Sequence, residues 1–177
     1  MNTENEKRIW TIGHSTRTIS DFLELLNEFG IEVVDDIRSF PGSRRFPQFN
    51  CENLAASLAQ DRILYRHIPQ LGGRRRVLPG SLNSAWRHPA FRGYADYMET
   101  DTFKEGIEIV GETAIRQKSV LMCSEAVWWR CHRGLVSDYL KFTGWEVWHI
   151  FGKNKVQEHP YTSAARFTDG QLNYHLE

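Results

Sequence analysis

Between Leu121 and Arg133 the chain carries two cysteines, a glutamate, a histidine and two arginines. An apolar run ends at Cys123, Glu125 follows, and after the aromatic turn Trp128-Trp129 the segment Cys131-His132-Arg133 opens a helical pattern. A cysteine at a strand-to-helix junction meets the positive end of a helix, and nearby guanidinium and imidazolium groups add to that field. Both favour thiolate, the nucleophilic form. Other readings stay open. Free cysteines are commonly buried as small apolar residues. A redox pair is a second alternative, although seven residues separate the two thiols and the Cys-x-x-Cys spacing is absent. Zinc is a third, with Cys123, Cys131, His132 and His14 as donors but without the paired short spacing of a zinc ribbon. A phosphatase-type loop needs an arginine six positions after the cysteine, where this chain has Trp129.

Three further groups fall after other apolar runs. Gly13-His14-Ser15 combines close backbone approach with an imidazole able to move a proton near neutral pH; Ser15 also suits a plain turn. Asp35, Asp36 and Arg38 close a β-branched run, with Asp36 and Arg38 on one face by alternation. They form either an internal salt bridge or part of a site. Two basic loops, with Arg44, Arg45, Phe46 and Phe49 in one and Arg74, Arg75, Arg76, Trp86, Arg87 and Arg92 in or near the other, interleave forks that fit phosphate with rings that stack on bases. Trp129 extends the aromatic set.

Strands at Arg8–Ile12, Ile31–Ile37, Leu64–Ile68, Ser119–Cys123 and Trp145–Phe151 alternate with helices. The first helix has Ser20 as its cap. The second runs from Asn50 to about Asp61. The others cover Tyr94–Glu99, Phe103–Arg116 and Cys131–Phe142. Strands alternating with helices imply parallel pairing and right-handed crossovers. The expected fold is therefore α/β: a single-domain three-layer sandwich, Rossmann-like, with a mostly parallel sheet of about five strands and helices on both faces. Every group above then falls on one edge of the sheet, where open α/β folds bind ligands. The segment Gln70–Arg87 is too long for a plain connector. The domain spans 1–177, with its core at about 8–152 and a tail, 153–177, wrapping the surface.

At 177 residues, 41% hydrophobic and 25% charged, the chain suits one globular domain. Equal numbers of basic and acidic residues exclude a bulk basic footprint for duplex nucleic acid. No run reaches the length of a membrane span, and Met1–Arg8 lacks the apolar stretch of a signal peptide. Three cysteines argue against a disulfide framework. The expected setting is cytoplasmic, with no membrane or protein partner.

The motifs Thr11-Ile12-Gly13-His14-Ser15, Asp36-Ile37-Arg38-Ser39-Phe40-Pro41, Pro47-Gln48-Phe49-Asn50, Leu71-Gly72-Gly73, Phe91-Arg92-Gly93-Tyr94-Ala95, Met122-Cys123-Ser124-Glu125 and Cys131-His132-Arg133, with the tail His159-Pro160-Tyr161, resemble the domain of unknown function 488 family. The resemblance runs from about Ile9 to Tyr174. It implies a single-domain α/β protein of bacterial and archaeal type and supports site residues within these motifs. It supplies no substrate.

The expectation is a small transferase or hydrolase acting on a phosphate-bearing ligand, a nucleotide or nucleic acid. Cys123 is the expected nucleophile or ligand-binding thiol. Glu125 serves as acid or base, and His14 or His132 shuttles the proton. Arg38, Arg44 and Arg133 hold anionic oxygens, and Ser15, Asp36, Phe46, Tyr94, Trp129 and Cys131 complete the pocket. No cofactor is required by the sequence. The alternatives are a non-enzymatic nucleotide or single-strand binding module, and a metal or redox sensor.

Overall fold

The computed structural model describes residues 7–176; the leader reading at Met1–Glu6 lies outside them. Five strands pair in parallel: β1 (Arg8–Gly13), β2 (Val33–Asp36), β3 (Leu64–His67), β4 (Ser119–Cys123) and β5 (Glu146–Gly152). A sixth, β6 (Lys155–Glu158), adds antiparallel to β5, giving the order β3-β2-β4-β1-β5-β6. The tail was expected only to wrap the surface. It contributes this edge strand and a small hairpin, β7 (Arg166–Thr168) and β8 (Gln171–Asn173). All four residues of β6 are exposed, so it lacks the apolar alternation by which half-buried strands are recognised.

Helices cover both faces. On one side α1 (Ile19–Glu28) and α2 (Cys51–Gln60) bury Phe22, Leu25, Leu26, Leu54 and Leu58 against Ile12, Val34, Val120, Met122 and Ile150. On the other, α3 (Pro89–Tyr97), α4 (Asp101–Ala114) and α5 (Arg133–Phe142) pack Tyr94, Phe103, Val110, Leu135 and Leu140 onto Ile9, Ile37, Leu121 and Val147. Each fully buried aliphatic or aromatic side chain is worth about 1.5–3 kcal/mol in removed apolar surface.

Local chemistry sets the helix ends. Thr18, not the expected Ser20, caps α1 by accepting from the Asp21 amide at 3.1 Å. Thr100 does the same for α4 through the Phe103 amide. The helix expected from Tyr94 begins earlier, at Pro89, with His88 Nδ1 accepting from the Ala90 amide. Proline at the first helical position loses no hydrogen bond.

The wiring opens a gap at one place. Strand β4 lies between β2 and β1. Those two neighbours lead to α2 and α1 on one face, while β4 leads to α5 on the other. Connections leaving adjacent strands toward opposite faces create a crevice at the strand C-termini. Here the crevice opens above Cys123.

Candidate functional site

A cleft of about 950 Å³ occupies this crevice. Its wall starts where β1 and β4 end. The amide of His14 donates to the Cys123 carbonyl and that of Ser15 to the Ser124 carbonyl, both at 2.9 Å, so the two loops stay zipped beyond the sheet. Ser15 takes a left-handed backbone, φ 50°, which costs a non-glycine residue about 1 kcal/mol or more. Gly13 permits the close approach, since a Cβ there would run into the Glu125 carbonyl.

His14 is almost fully buried, with its ring stacked on Phe49 at 4.2 Å. Its Nδ1 lies 2.9 Å from the Ser15 carbonyl, so Nδ1 carries the proton and Nε2 keeps a lone pair. That lone pair faces Arg38 Nη1 at 3.4 Å. Burial first, then the Arg38 charge, hold the imidazole down at about 4, the Ser15 contact acting the other way. Arg38 is held rigidly. Asp36 accepts from its Nε at 2.9 Å, its Nη2 at 2.6 Å and its backbone amide at 3.1 Å, while the Phe49 carbonyl accepts from Nη2. Tyr65 donates to the same carboxylate at 2.7 Å. Asp36 is therefore both the internal salt-bridge partner and the device that aims Arg38 at the cleft. Asp35 points to the opposite face and binds Arg66 at 2.7 Å.

The floor is sulfur and imidazole. Sγ of Cys123, Sγ of Cys131 and a ring nitrogen of His132 all lie within 4.8 Å of one another, and all three residues are buried. Cys131 Sγ and His132 Nδ1 are 3.7 Å apart. His132 Nε2 lies 2.9 Å from the Ile37 carbonyl, so it donates there and leaves the Nδ1 lone pair toward the thiols. Gly73 backs the ring, since a Cβ at that position would overlap it. Burial raises both thiols, but their environments divide them. Against burial, hydrogen bonding from Cys123 and the charge and N–H groups of Arg133 bring Cys131 down to about 6. Hydrogen bonding to Cys131, with burial, pushes Cys123 well up. Thiolate character thus belongs to Cys131, at the entry to α5, rather than to Cys123.

Arg133 lies under this floor, 1% exposed. It donates to Thr11 Oγ1 at 3.3 Å and to the Glu125 carbonyl at 2.5 Å, and its Nε lacks a partner. Among the described residues no carboxylate pairs with it. A buried cation with only neutral acceptors favours an anion nearby. A chain of hydrogen bonds continues outward from Thr11. His149 Nδ1 lies 2.6 Å from Thr11 Oγ1, His149 Nε2 lies 2.9 Å from His159 Nδ1, and His159 Nε2 lies 2.7 Å from Asp138. Thr162 and Tyr174 complete the shell of Asp138, so the tail is tied to the floor of the cleft.

Of the expected site residues, the cleft gathers His14, Ser15, Arg38, Phe46, Cys123, Glu125, Trp129, Cys131 and His132. Four lie elsewhere. Asp36 is beneath Arg38. Arg44 lines a separate shallow depression on the outer side of its loop, because adjacent loop residues point apart. Tyr94 is fully buried, its hydroxyl on the Leu71 carbonyl and its ring 5.1 Å from that of His132. Arg133 is the counter-cation below the thiols rather than a ligand contact. Beyond the expected set, Arg45, Arg74 and Arg130 also line the cleft. Arg45 and Arg74 stand in the basic loops, but spacing alone does not tell which arginine of each loop turns inward. Arg75 turns away, its guanidinium 3.6 Å from the Tyr97 ring centre.

The family model for the domain of unknown function DUF488 matches residues 18–140. The chain belongs to this family. The DUF488 match includes Arg38, Cys123, Cys131 and His132, and leaves His14 and the tail outside it. No curated protein and no solved structure matches the chain. No helix among the described residues is long and apolar enough to cross a membrane.

Proposed function

We propose that this DUF488 protein is a small enzyme of transferase or hydrolase type that binds a phosphate-bearing ligand in the cleft above Cys123 and Cys131. The observation that carries this reading is the charge of the lining. Four arginines, Arg38, Arg45, Arg74 and Arg130, surround the cleft with a single carboxylate, Glu125. Arg38 is neutralised by Asp36 and fixed; the other three are exposed, Arg45 resting over Phe46 and Arg74 over Phe40, and none has a carboxylate partner among the described residues. Guanidinium forks suit phosphate. Phe46 and the half-exposed Trp129 offer faces on which a base can stack.

In this reading the thiol pair supplies the reactive group. His132 Nδ1 accepts the Cys131 proton, His14 Nε2 is a second acceptor higher in the wall, and Glu125 exchanges protons at the rim.

The test is a panel of inorganic phosphate, nucleosides and nucleoside mono- and diphosphates, read by thermal shift and calorimetry. Phosphate-bearing members raise the melting temperature; a ligand at 100 times its Kd stabilises by about 2.7 kcal/mol. Arg74→Ala and Arg130→Ala each weaken that binding by roughly tenfold. Equal binding of nucleosides with and without phosphate would overturn the reading.

A second reading is favoured by Phe40, 68% exposed beside the cleft with Arg74 over its ring at 5.2 Å. Alternating rings and guanidinium groups suit single-stranded nucleic acid. Retention of oligonucleotides that falls steeply with salt favours this module over a small-ligand pocket.

A further inference from the structure

We propose that Cys123, Cys131 and His132 bind one divalent cation of the zinc class, with a fourth coordination position open to the cleft. The inference goes beyond the phosphate-ligand reading: it keeps the arginine-lined cleft but makes Cys123, Cys131 and His132 Nδ1 metal ligands instead of a reactive thiol and its proton acceptor.

The donor set carries the argument. Two sulfurs and one imidazole nitrogen, all buried, lie within 4.8 Å of one another. Zinc–sulfur bonds of about 2.3 Å and zinc–nitrogen bonds of about 2.0–2.1 Å place the corners of a tetrahedron roughly 3.6 Å apart for S···N and 3.8 Å for S···S. Cys131 Sγ and His132 Nδ1 already stand 3.7 Å apart. Thiolate and imidazole together select zinc, or a metal like it, over calcium or magnesium, which prefer oxygen.

The surroundings agree. A metal-binding histidine characteristically donates its second N–H to a carbonyl or carboxylate, which fixes the tautomer and aims the lone pair. His132 Nε2 does this with Ile37. Gly73 packs close to the ring at its Nδ1 side, where a Cβ would overlap it, so the ring cannot move toward that loop without displacing it. The Arg133 backbone N–H points at Cys131 Sγ, 3.5 Å away, a contact that stabilises bound thiolate. Three protein donors leave the fourth position free, the arrangement of catalytic rather than structural zinc sites.

The test uses protein with any affinity tag removed, kept reduced and first stripped with a chelator. Titration with Co²⁺ should saturate at one equivalent per chain. It should produce thiolate-to-cobalt charge-transfer absorption in the near ultraviolet and the strong visible bands of a four-coordinate site. Zn²⁺ should bleach both, and elemental analysis should then find one zinc per chain. Cys123→Ser and Cys131→Ser, each nearly isosteric, and His132→Ala should weaken Co²⁺ binding at least 100-fold. Cys51→Ser, which alters the third cysteine, outside the cluster, should bind like wild type. Circular dichroism and urea unfolding confirm that each variant is folded; if a serine variant is not, His132→Gln stands in for it. The proposal is overturned if folded wild-type protein takes up no stoichiometric Co²⁺ with thiolate charge transfer. It is overturned equally if the folded cluster variants keep the wild-type spectrum and affinity.

Discussion

His132 donates from Nε2 to the carbonyl of Ile37, 95 residues earlier, at 2.9 Å. That bond joins the loop after β2 to the entry of α5. It fixes the imidazole tautomer and determines which nitrogen the thiols face. The reactive floor of the cleft is thus defined by a contact between segments remote in the chain.

Removing the acid that aims Arg38 should be costly. Asp36 is fully buried and accepts four hydrogen bonds, three of them from Arg38. Asp36→Asn leaves a buried guanidinium without its counter-charge, which costs about 3–5 kcal/mol. Tyr65→Phe removes one neutral donor to a charged group and costs about 1.5–3 kcal/mol. Urea unfolding of the two variants should rank them in that order. An Asp36→Asn protein as stable as wild type contradicts the placement of this pair.

Gly73 and Gly152 make a matched comparison. A Cβ at Gly73 overlaps the His132 ring, whereas one at Gly152 meets nothing within 4 Å. Gly73→Ala should destabilise by about 1–3 kcal/mol, as overpacking does, and should displace His132 from Ile37. Gly152→Ala should be nearly neutral. The imidazole proton resonances of His132, compared across the three proteins, report the displacement directly.

Acid should destabilise the protein through His149. Burial, then the charges of His159 and Arg133, depress its pKa to about 2, against 6.5 when exposed. Between those values the unfolded chain holds the extra proton, so stability rises with pH through this window. It is fully present above about 6.5 and is lost as pH falls, with a slope approaching 1.4 kcal/mol per pH unit from this group. His149→Gln should flatten the curve measured from pH 7 to 5. An unchanged slope would show that the ring is not buried as neutral imidazole.

Much of the layout was legible in the sequence. Strand β4 matches its expected bounds, because five consecutive buried residues, Ser119–Cys123, read as a central parallel strand. Gathering nine expected residues in one cleft follows from parallel topology, which sends every strand C-terminus to the same edge. Other features depend on three dimensions. Edge strand β6 has no buried face to leave a pattern. Arg133 looks like its neighbours in the chain, yet it points beneath the thiols where Arg130 points into the cleft. The preference for thiolate at Cys131 over Cys123 arises first from the hydrogen bond that Cys123 gives it, then from that same guanidinium and the amide of a helix terminus, none of which spacing alone assigns. Tyr94 is buried with its hydroxyl on the Leu71 carbonyl and its ring beside His132, a placement that its position in the chain does not distinguish from one in the cleft.

The central claim is that phosphate is held above the two cysteines. Crystals of the protein grown with a nucleoside monophosphate test it most directly. Phosphate oxygens should lie within hydrogen-bond distance of Arg38 Nη1 and of at least one of Arg74 and Arg130, above Cys123 and Cys131. A cleft still empty at saturating nucleotide, or the nucleotide bound elsewhere, would contradict it.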